Sequence, residues 1–257
     1  MTRHLLVIGA QRCGTTLLYD LLDSHPDITM ARPARPEPKV FVSDELTARG
    51  LDWYRETYFA HATTERVWGE KSTSYLEDGE AAQRARHMLG DADIVVQLRD
   101  PVARAVSNWR FSTSYGLEDR PVGQALEDNL EGTRRWDPEA TSVSPFAYLE
   151  RGRYIDYLDP WLASFPASLH VLFLGEVAQE TSSLTQLSAA MGLGPGPEAT
   201  APSDAVNSSE GAAPRLEPGL VDRLRAYFDD SDTRLRDQLG RELPWDRRRD
   251  AAPEDGA

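Results

Sequence analysis

Apolar positions along the chain fall into two alternating patterns. Short apolar runs, Leu5 to Ile8, Ile94 to Leu98 and the alternating Leu169 to Leu174, predict strands, and Val67-Trp68-Gly69 predicts a further short one. Between them, apolar residues recur at helical spacing. Leu17, Leu18, Leu21 and Leu22 follow Thr15 and Thr16; Trp53, Tyr54 and Phe59 mark an aromatic helix over Gly50 to Phe59; residues 79–89 and Val177 to Met191 read as two more. Asp100 is a good N-cap and Pro101 a good first residue for a helix carrying Ala103, Val106, Ser107 and Arg110. Phe146 to Phe165 predicts a long aromatic helix that Pro160 kinks or divides. Pro218 opens a last helix with Leu220, Leu224 and Tyr227 on one face, continued over Asp232 to Leu239 after a break.

The intervening stretches are polar or rich in proline and glycine. Ser24-His25-Pro26 stops the first helix, and residues 26–45, with Arg32, Pro33, Arg35, Pro36, Glu37, Pro38 and Lys39, read as a long loop of the length that usually means function or disorder. Residues 131–145 and Gly192 to Pro214 read as further loops. The charged segment after Trp245 predicts a disordered tail, leaving one domain over residues 1–246 and a tail over 247–257.

Apolar strands alternating with helices predict an α/β fold: a P-loop-like central parallel sheet covered by helices on both faces. In such sheets ligands bind beyond the carboxyl ends of the strands. Polar signatures stand at three of those ends, Gly9–Thr16, Glu70–Ser72 and Arg99–Ser107, and are expected to converge on one crevice.

The first of these is the most informative. A strand, a turn from Gly9 to Gly14 and a helix opening at Thr15 form a phosphate cradle, because the helix N-terminus offers unpaired N–H groups and partial positive charge. The glycine spacing is that of a nucleotide-triphosphatase P-loop, yet Thr15 stands where that loop has lysine, and Arg12 sits inside the turn instead. The cation is thereby moved to a different atom of the ligand, with a fork of donors matched to an anionic oxygen group. The plain alternative is a strand-turn-helix with a solvated arginine.

Net charge narrows the partners. At −14 over 257 residues, with 40% hydrophobic and 27% charged residues, the chain supports a sizeable core. That charge argues against nucleic acid as a partner and disfavours a highly anionic polymer as acceptor. The lone cysteine, Cys13, allows no internal disulfide. Its place before a helix N-terminus suits a reactive thiol, and a small buried filler is the competing reading. The N-terminal apolar run of six residues is too short for a signal peptide, and no stretch approaches a membrane span. A cytoplasmic protein with no membrane partner is expected.

Taken together, these motifs resemble the sulfotransferases that use 3′-phosphoadenosine 5′-phosphosulfate (PAPS). Gly9-Ala-Gln-Arg-Cys-Gly-Thr-Thr16 is similar to their 5′-phosphosulfate loop, and Val95-Val-Gln-Leu-Arg-Asp-Pro-Val-Ala-Arg-Ala-Val-Ser107 to their 3′-phosphate motif. The nearer likeness is to the glycan branch, the heparan sulfate N- and 3-O-sulfotransferases. It rests on Glu37-Pro-Lys-Val-Phe41 ahead of Gly50-Leu-Asp-Trp-Tyr54, on Glu70-Lys-Ser-Thr-Ser-Tyr75, on Gly152-Arg-Tyr-Ile-Asp-Tyr-Leu-Asp-Pro-Trp-Leu162 and on the closing Leu-Pro-Trp245.

The resemblance implies roles. Arg12 would contact the 5′-phosphate and sulfonate and stabilise charge on the leaving oxygen, as electrostatics rather than as an acid. Cys13, Gly14, Thr15 and Thr16 would cradle the 5′-phosphate, while Arg99 and Ser107 would hold the 3′-phosphate. Glu37 aligns with the general base. Lys39 and Lys71 would place cations near the sulfonate, and Glu70 would orient them or serve as an alternative base. The loop Asn207-Ser-Ser-Glu-Gly211 resembles the one that closes over the nucleotide, with Ser209 and Gly211 as contacts, though without the basic residues many relatives carry there. The expected reaction is sulfonate transfer from PAPS, without a metal, to a hydroxyl or amine of a small-molecule or sugar acceptor. A P-loop kinase using ATP and a non-catalytic nucleotide-binding protein stand as alternatives.

Overall fold

The computed structural model describes residues 2–137, 143–179, 182–196 and 214–246. Its elements in chain order begin β1 (Arg3–Gly9), α1 (Thr15–Asp23), β2 (Ile28–Met30), α2 (Asp44–Thr47), α3 (Gly50–Phe59), β3 (Val67–Lys71), α4 (Ala81–Leu89), β4 (Ala92–Leu98) and α5 (Pro101–Ser114). They continue α6 (Val122–Leu130), α7 (Ile155–Ser164), β5 (Leu169–Phe173), α8 (Leu174–Gln179), α9 (Ser182–Ala190) and α10 (Pro218–Leu239). The chain groups into two units, Met1–Leu98 with Tyr157–Ser208 and Arg99–Asp156 with Ser209–Ala257.

The first unit holds a five-stranded sheet in the order β2-β3-β1-β4-β5, every pairing parallel. The expected α/β fold is therefore present. β4 is buried along its whole length and β1 everywhere but Arg3, as strands covered on both faces must be. Leu5, Val7, Leu18, Leu22, Met30, Val67 and Val95 form one core with Leu172, Leu187 and Met191. Each large aliphatic side chain so enclosed contributes roughly 1.5–3 kcal/mol. From central β1 the chain moves to β2 and β3 on one side, while β4 and β5 lie on the other. The carboxyl ends of β1 and β4 thus flank the switch point at which open sheets bind ligands.

The second unit is helical. Val102, Ala105 and Val106 of α5 pack with Leu126 of α6, with Tyr148 and Leu149, and with Leu220, Leu224 and Phe228 of α10. Asp100 caps α5 as expected, accepting the Val102 N–H at 2.9 Å, with Pro101 at the first turn.

Several expectations need correction. The loop over 26–45 contains β2, three residues paired only to β3. The long helix expected over Phe146 to Phe165 is confined to α7 and one 3-10 turn at Glu150–Gly152. Its aromatic first half is irregular chain in the core, where the buried Arg104 guanidinium donates to the Ala147 and Tyr148 carbonyls. The helix expected over Val177 to Met191 is described as α8 and α9, with residues 180–181 between them outside the described residues. α10 runs without a break, because the Ser231 hydroxyl bonds back to Phe228 O and Asp232 accepts the Trp245 indole N–H at 2.9 Å. α6 had no counterpart among the expected helices. The tail expected over 247–257 lies outside the described residues.

Candidate active site

The loop between β1 and α1 lets backbone approach a ligand closely. Gly14, the N-cap of α1, holds φ +80°. A Cβ there would stand 2.5 Å from Leu174 Cδ1 and 3.0 Å from Gln97 Nε2, so the position is restricted to glycine by both conformation and space. α1 begins at Thr15 with no side-chain cap and no acidic residue in its first turn. Its N-terminal N–H groups are thereby left for an anion. Arg12 is half-buried at φ 67°, in the left-handed region. Cys13 is fully buried, which favours the filler reading over a reactive thiol. Thr15 is buried and Thr16 half-buried.

Gln97, which the sequence did not single out, braces this loop from β4. Its backbone carbonyl accepts the Ala10 N–H at 2.9 Å, and its side-chain amide donates to the Cys13 carbonyl at 2.6 Å. Only a polar residue inside an otherwise apolar strand could have signalled it.

A second group sits at the carboxyl end of β3, the strand beside β1. Lys71, 5% exposed, pairs with Glu37 Oε1. The Thr73 N–H donates to Glu37 Oε2 at 2.9 Å and its hydroxyl lies 3.1 Å from the same atom. Glu37 thus stands on the 26–45 loop with its carboxylate anchored to the strand tip. The backbone meets the β1–α1 loop here too: a Cβ at Gly9 would lie 3.5 Å from Thr73 O. Glu37, Lys71 and the β1–α1 loop are therefore assembled at neighbouring strand ends. Nothing in the local sequence around Thr73 signals this contact.

Glu70 is fully buried. It accepts hydrogen bonds from Ser72 Oγ and Tyr75 OH, both at 2.6 Å to Oε1, and from Tyr54 OH at 2.8 Å to Oε2. Burial holds its pKa above the ordinary carboxylate value, against the opposing pull of the three hydroxyls. The same burial and the Glu70 charge push the Tyr54 and Tyr75 phenols well above their usual value. Lys39 is half-buried, at φ 53°.

Arg99 and Ser107 belong to the second unit. Arg99 precedes the N-cap of α5, and its carbonyl accepts the Tyr154 hydroxyl at 2.7 Å. Asp100 is clamped by both terminal nitrogens of Arg225, at 2.9 and 2.6 Å. Ser107 lies on α5, half-buried. Ser209 and Gly211 lie outside the described residues. Among the described residues no group of three or more His, Cys, Asp or Glu side chains could hold a metal ion, and no helix is long and apolar enough to cross a membrane.

Known proteins resemble this chain in sequence and in fold. Mus musculus heparan sulfate glucosamine 3-O-sulfotransferase 3B1 is 32% identical over 171 residues, 66% of this chain and 40% of that protein. The Mus musculus bifunctional heparan sulfate N-deacetylase/N-sulfotransferase 1 is 31% identical over 179 residues, 67% of this chain and 20% of that one. The chain thus spans less than half the length of either. The crystal structure of a sulfotransferase from Alicyclobacillus acidocaldarius superposes with a TM-score of 0.72 at 24% identity, covering 95% of this chain and 98% of that one, which shows the shared fold. The model of the sulfotransferase domain matches residues 2–176, well over half of the chain, and the protein belongs to the sulfotransferase family.

Proposed function

We propose that the protein transfers the sulfonate group of PAPS to a hydroxyl or amine of a small-molecule or sugar acceptor by in-line displacement. The observation that carries this reading is the Glu37 carboxylate, anchored by Lys71 and Thr73 beside the β1–α1 phosphate loop. Glu37 takes the acceptor proton as the acceptor oxygen or nitrogen bonds to sulfur. The bond from sulfur to the bridging oxygen breaks, and that oxygen leaves with its electron pair on the 5′-phosphate. Arg12 and the N–H groups at the start of α1 stabilise the charge that gathers there. Lys71 and Lys39 offset the charge of the sulfonate oxygens. Gly14, Thr15 and Thr16, with Cys13 behind them, cradle the 5′-phosphate; Arg99 and Ser107 hold the 3′-phosphate, with Ser209 and Gly211 as further nucleotide contacts.

The names of the relatives favour a sugar acceptor. The net charge of −14 argues against a heavily sulfated polymer and for a neutral or cationic sugar or a small metabolite. The test is a screen of alcohols, amines and sugars with PAPS labelled in the sulfonate. Label is expected to move to a neutral or cationic acceptor with no added metal. No transfer to any class, with intact binding of the bisphosphate nucleotide, would favour a non-catalytic role.

A further inference from the structure

The carboxylate of Glu70 is fully buried and collects three hydroxyl hydrogens. Their direction is fixed by the next bonds outward. The Lys39 backbone N–H donates to Ser72 Oγ at 2.9 Å, and the Phe41 N–H donates to Tyr75 OH at 3.3 Å. A backbone amide can only donate, so each hydroxyl accepts from the loop and gives its single hydrogen to Glu70. Two relays therefore run from one carboxylate oxygen to the backbone of residues 39 and 41.

That backbone needs an external anchor. Lys39 sits at φ 53°, a conformation that a non-glycine residue keeps only where its surroundings over-determine it. Two residues before it, Glu37 reaches Lys71 and Thr73 of the same strand end. We propose that Glu70 is a positioning residue: through the Ser72 and Tyr75 hydroxyls it holds the 37–41 loop on the tip of β3 and so sets where the Glu37 carboxylate stands. Tyr54, from α3, holds the second oxygen and fixes the plane of the Glu70 carboxylate. The kinetic side of this inference rests on the sulfotransferase reading; the structural side does not.

The test uses the full chain and three variants: Tyr75→Phe, Glu70→Gln and Glu37→Gln. Tyr75→Phe keeps the ring that packs on Phe41, centroids 5.3 Å apart, and carries the test if Glu70→Gln fails to fold. Hydrogen exchange of the Lys39 and Phe41 amides is followed alongside kcat, the KM for PAPS and the affinity for adenosine 3′,5′-bisphosphate. Amide exchange within 37–42 is expected to quicken by about tenfold or more, as loss of a buried hydrogen bond allows, with exchange in α10 unchanged. Turnover falls while nucleotide affinity holds. Tyr75→Phe combined with Glu37→Gln turns over no more slowly than Glu37→Gln alone, since Glu70 acts through Glu37. Unchanged loop exchange in both relay variants, or kinetic losses that simply add to that of Glu37→Gln, would overturn the proposal. Faster loop exchange in a protein whose wild type moves no sulfonate would support the relay and overturn the sulfotransferase reading.

Discussion

Glu37→Gln separates basicity from architecture. In the wild type one carboxylate oxygen meets Lys71 Nζ and the other accepts the Thr73 N–H at 2.9 Å. Lys71 is 5% exposed, so outright removal of its counter-ion costs about 3–5 kcal/mol, as for other buried pairs deprived of one partner. Alanine at position 37 would therefore disturb the strand tip as well as the chemistry. Glutamine keeps the size and one acceptor oxygen, and its stability loss is expected to stay below that range. On the proposed role the proton acceptor is then gone, and general-base catalysis contributes about 10²–10⁴-fold. At about 1.4 kcal/mol per factor of ten, the barrier rises by roughly 3–5.5 kcal/mol. The assay is steady-state turnover with saturating PAPS and an aliphatic alcohol or sugar, because a phenol near its own pKa needs less help. A fall in kcat within that range is expected, with nucleotide affinity unchanged and the fold intact by circular dichroism. Near-normal turnover by Glu37→Gln, with collapse in Glu70→Gln, would move the base to Glu70 and refute the assignment.

Further outcomes are expected elsewhere. Arg99→Ala should weaken binding of adenosine 3′,5′-bisphosphate by about 1.5–3 kcal/mol, the worth of a charged hydrogen bond, and leave adenosine 5′-phosphosulfate, which lacks the 3′-phosphate, almost unaffected by calorimetry. Gln97→Leu removes the 2.6 Å bond to the Cys13 carbonyl and should weaken both nucleotides alike, by about 1–3 kcal/mol, since it loosens the 5′-loop they share. Glu118 in the second unit is opposed by burial but held down to about 2 by Arg120 and the Tyr148 hydroxyl, from an ordinary 4.5. A depressed carboxylate stabilises the fold above its unfolded pKa and loses that contribution as pH falls. Glu118→Gln should therefore cost about 3 kcal/mol at pH 7 by denaturant unfolding, a gap that closes from pH 4.5 towards pH 2.

The sheet was legible because strands buried on both faces must be largely apolar: Leu5 to Ile8 lies within β1, and Ile94 to Leu98, apolar but for Gln97, within β4. β2 escaped because three residues carry too little pattern, and its pairing to β3 is a tertiary fact. Phe146 to Tyr148 looked helical because burial in an irregular segment and burial on a helix face demand the same side chains. The polar run between Tyr227 and Asp232 looked like a break, while the contact that holds its end, Asp232 with the Trp245 indole, is distant in sequence. At the site, charged residues stood out and their neutral supports did not. Nothing in local sequence tells that Thr73 would hold Glu37, that Tyr54 would reach Glu70, or that Gln97 would brace Cys13.

Nucleotide preference tests the central claim most directly. Calorimetric titration of the full chain with adenosine 3′,5′-bisphosphate in the absence of magnesium should show tight binding, and ATP with magnesium should bind weakly. Thr15 in place of the P-loop lysine, and the 3′-phosphate role proposed for Arg99 and Ser107, both predict that order. Tight ATP binding that depends on magnesium, with weak binding of the bisphosphate, would contradict it.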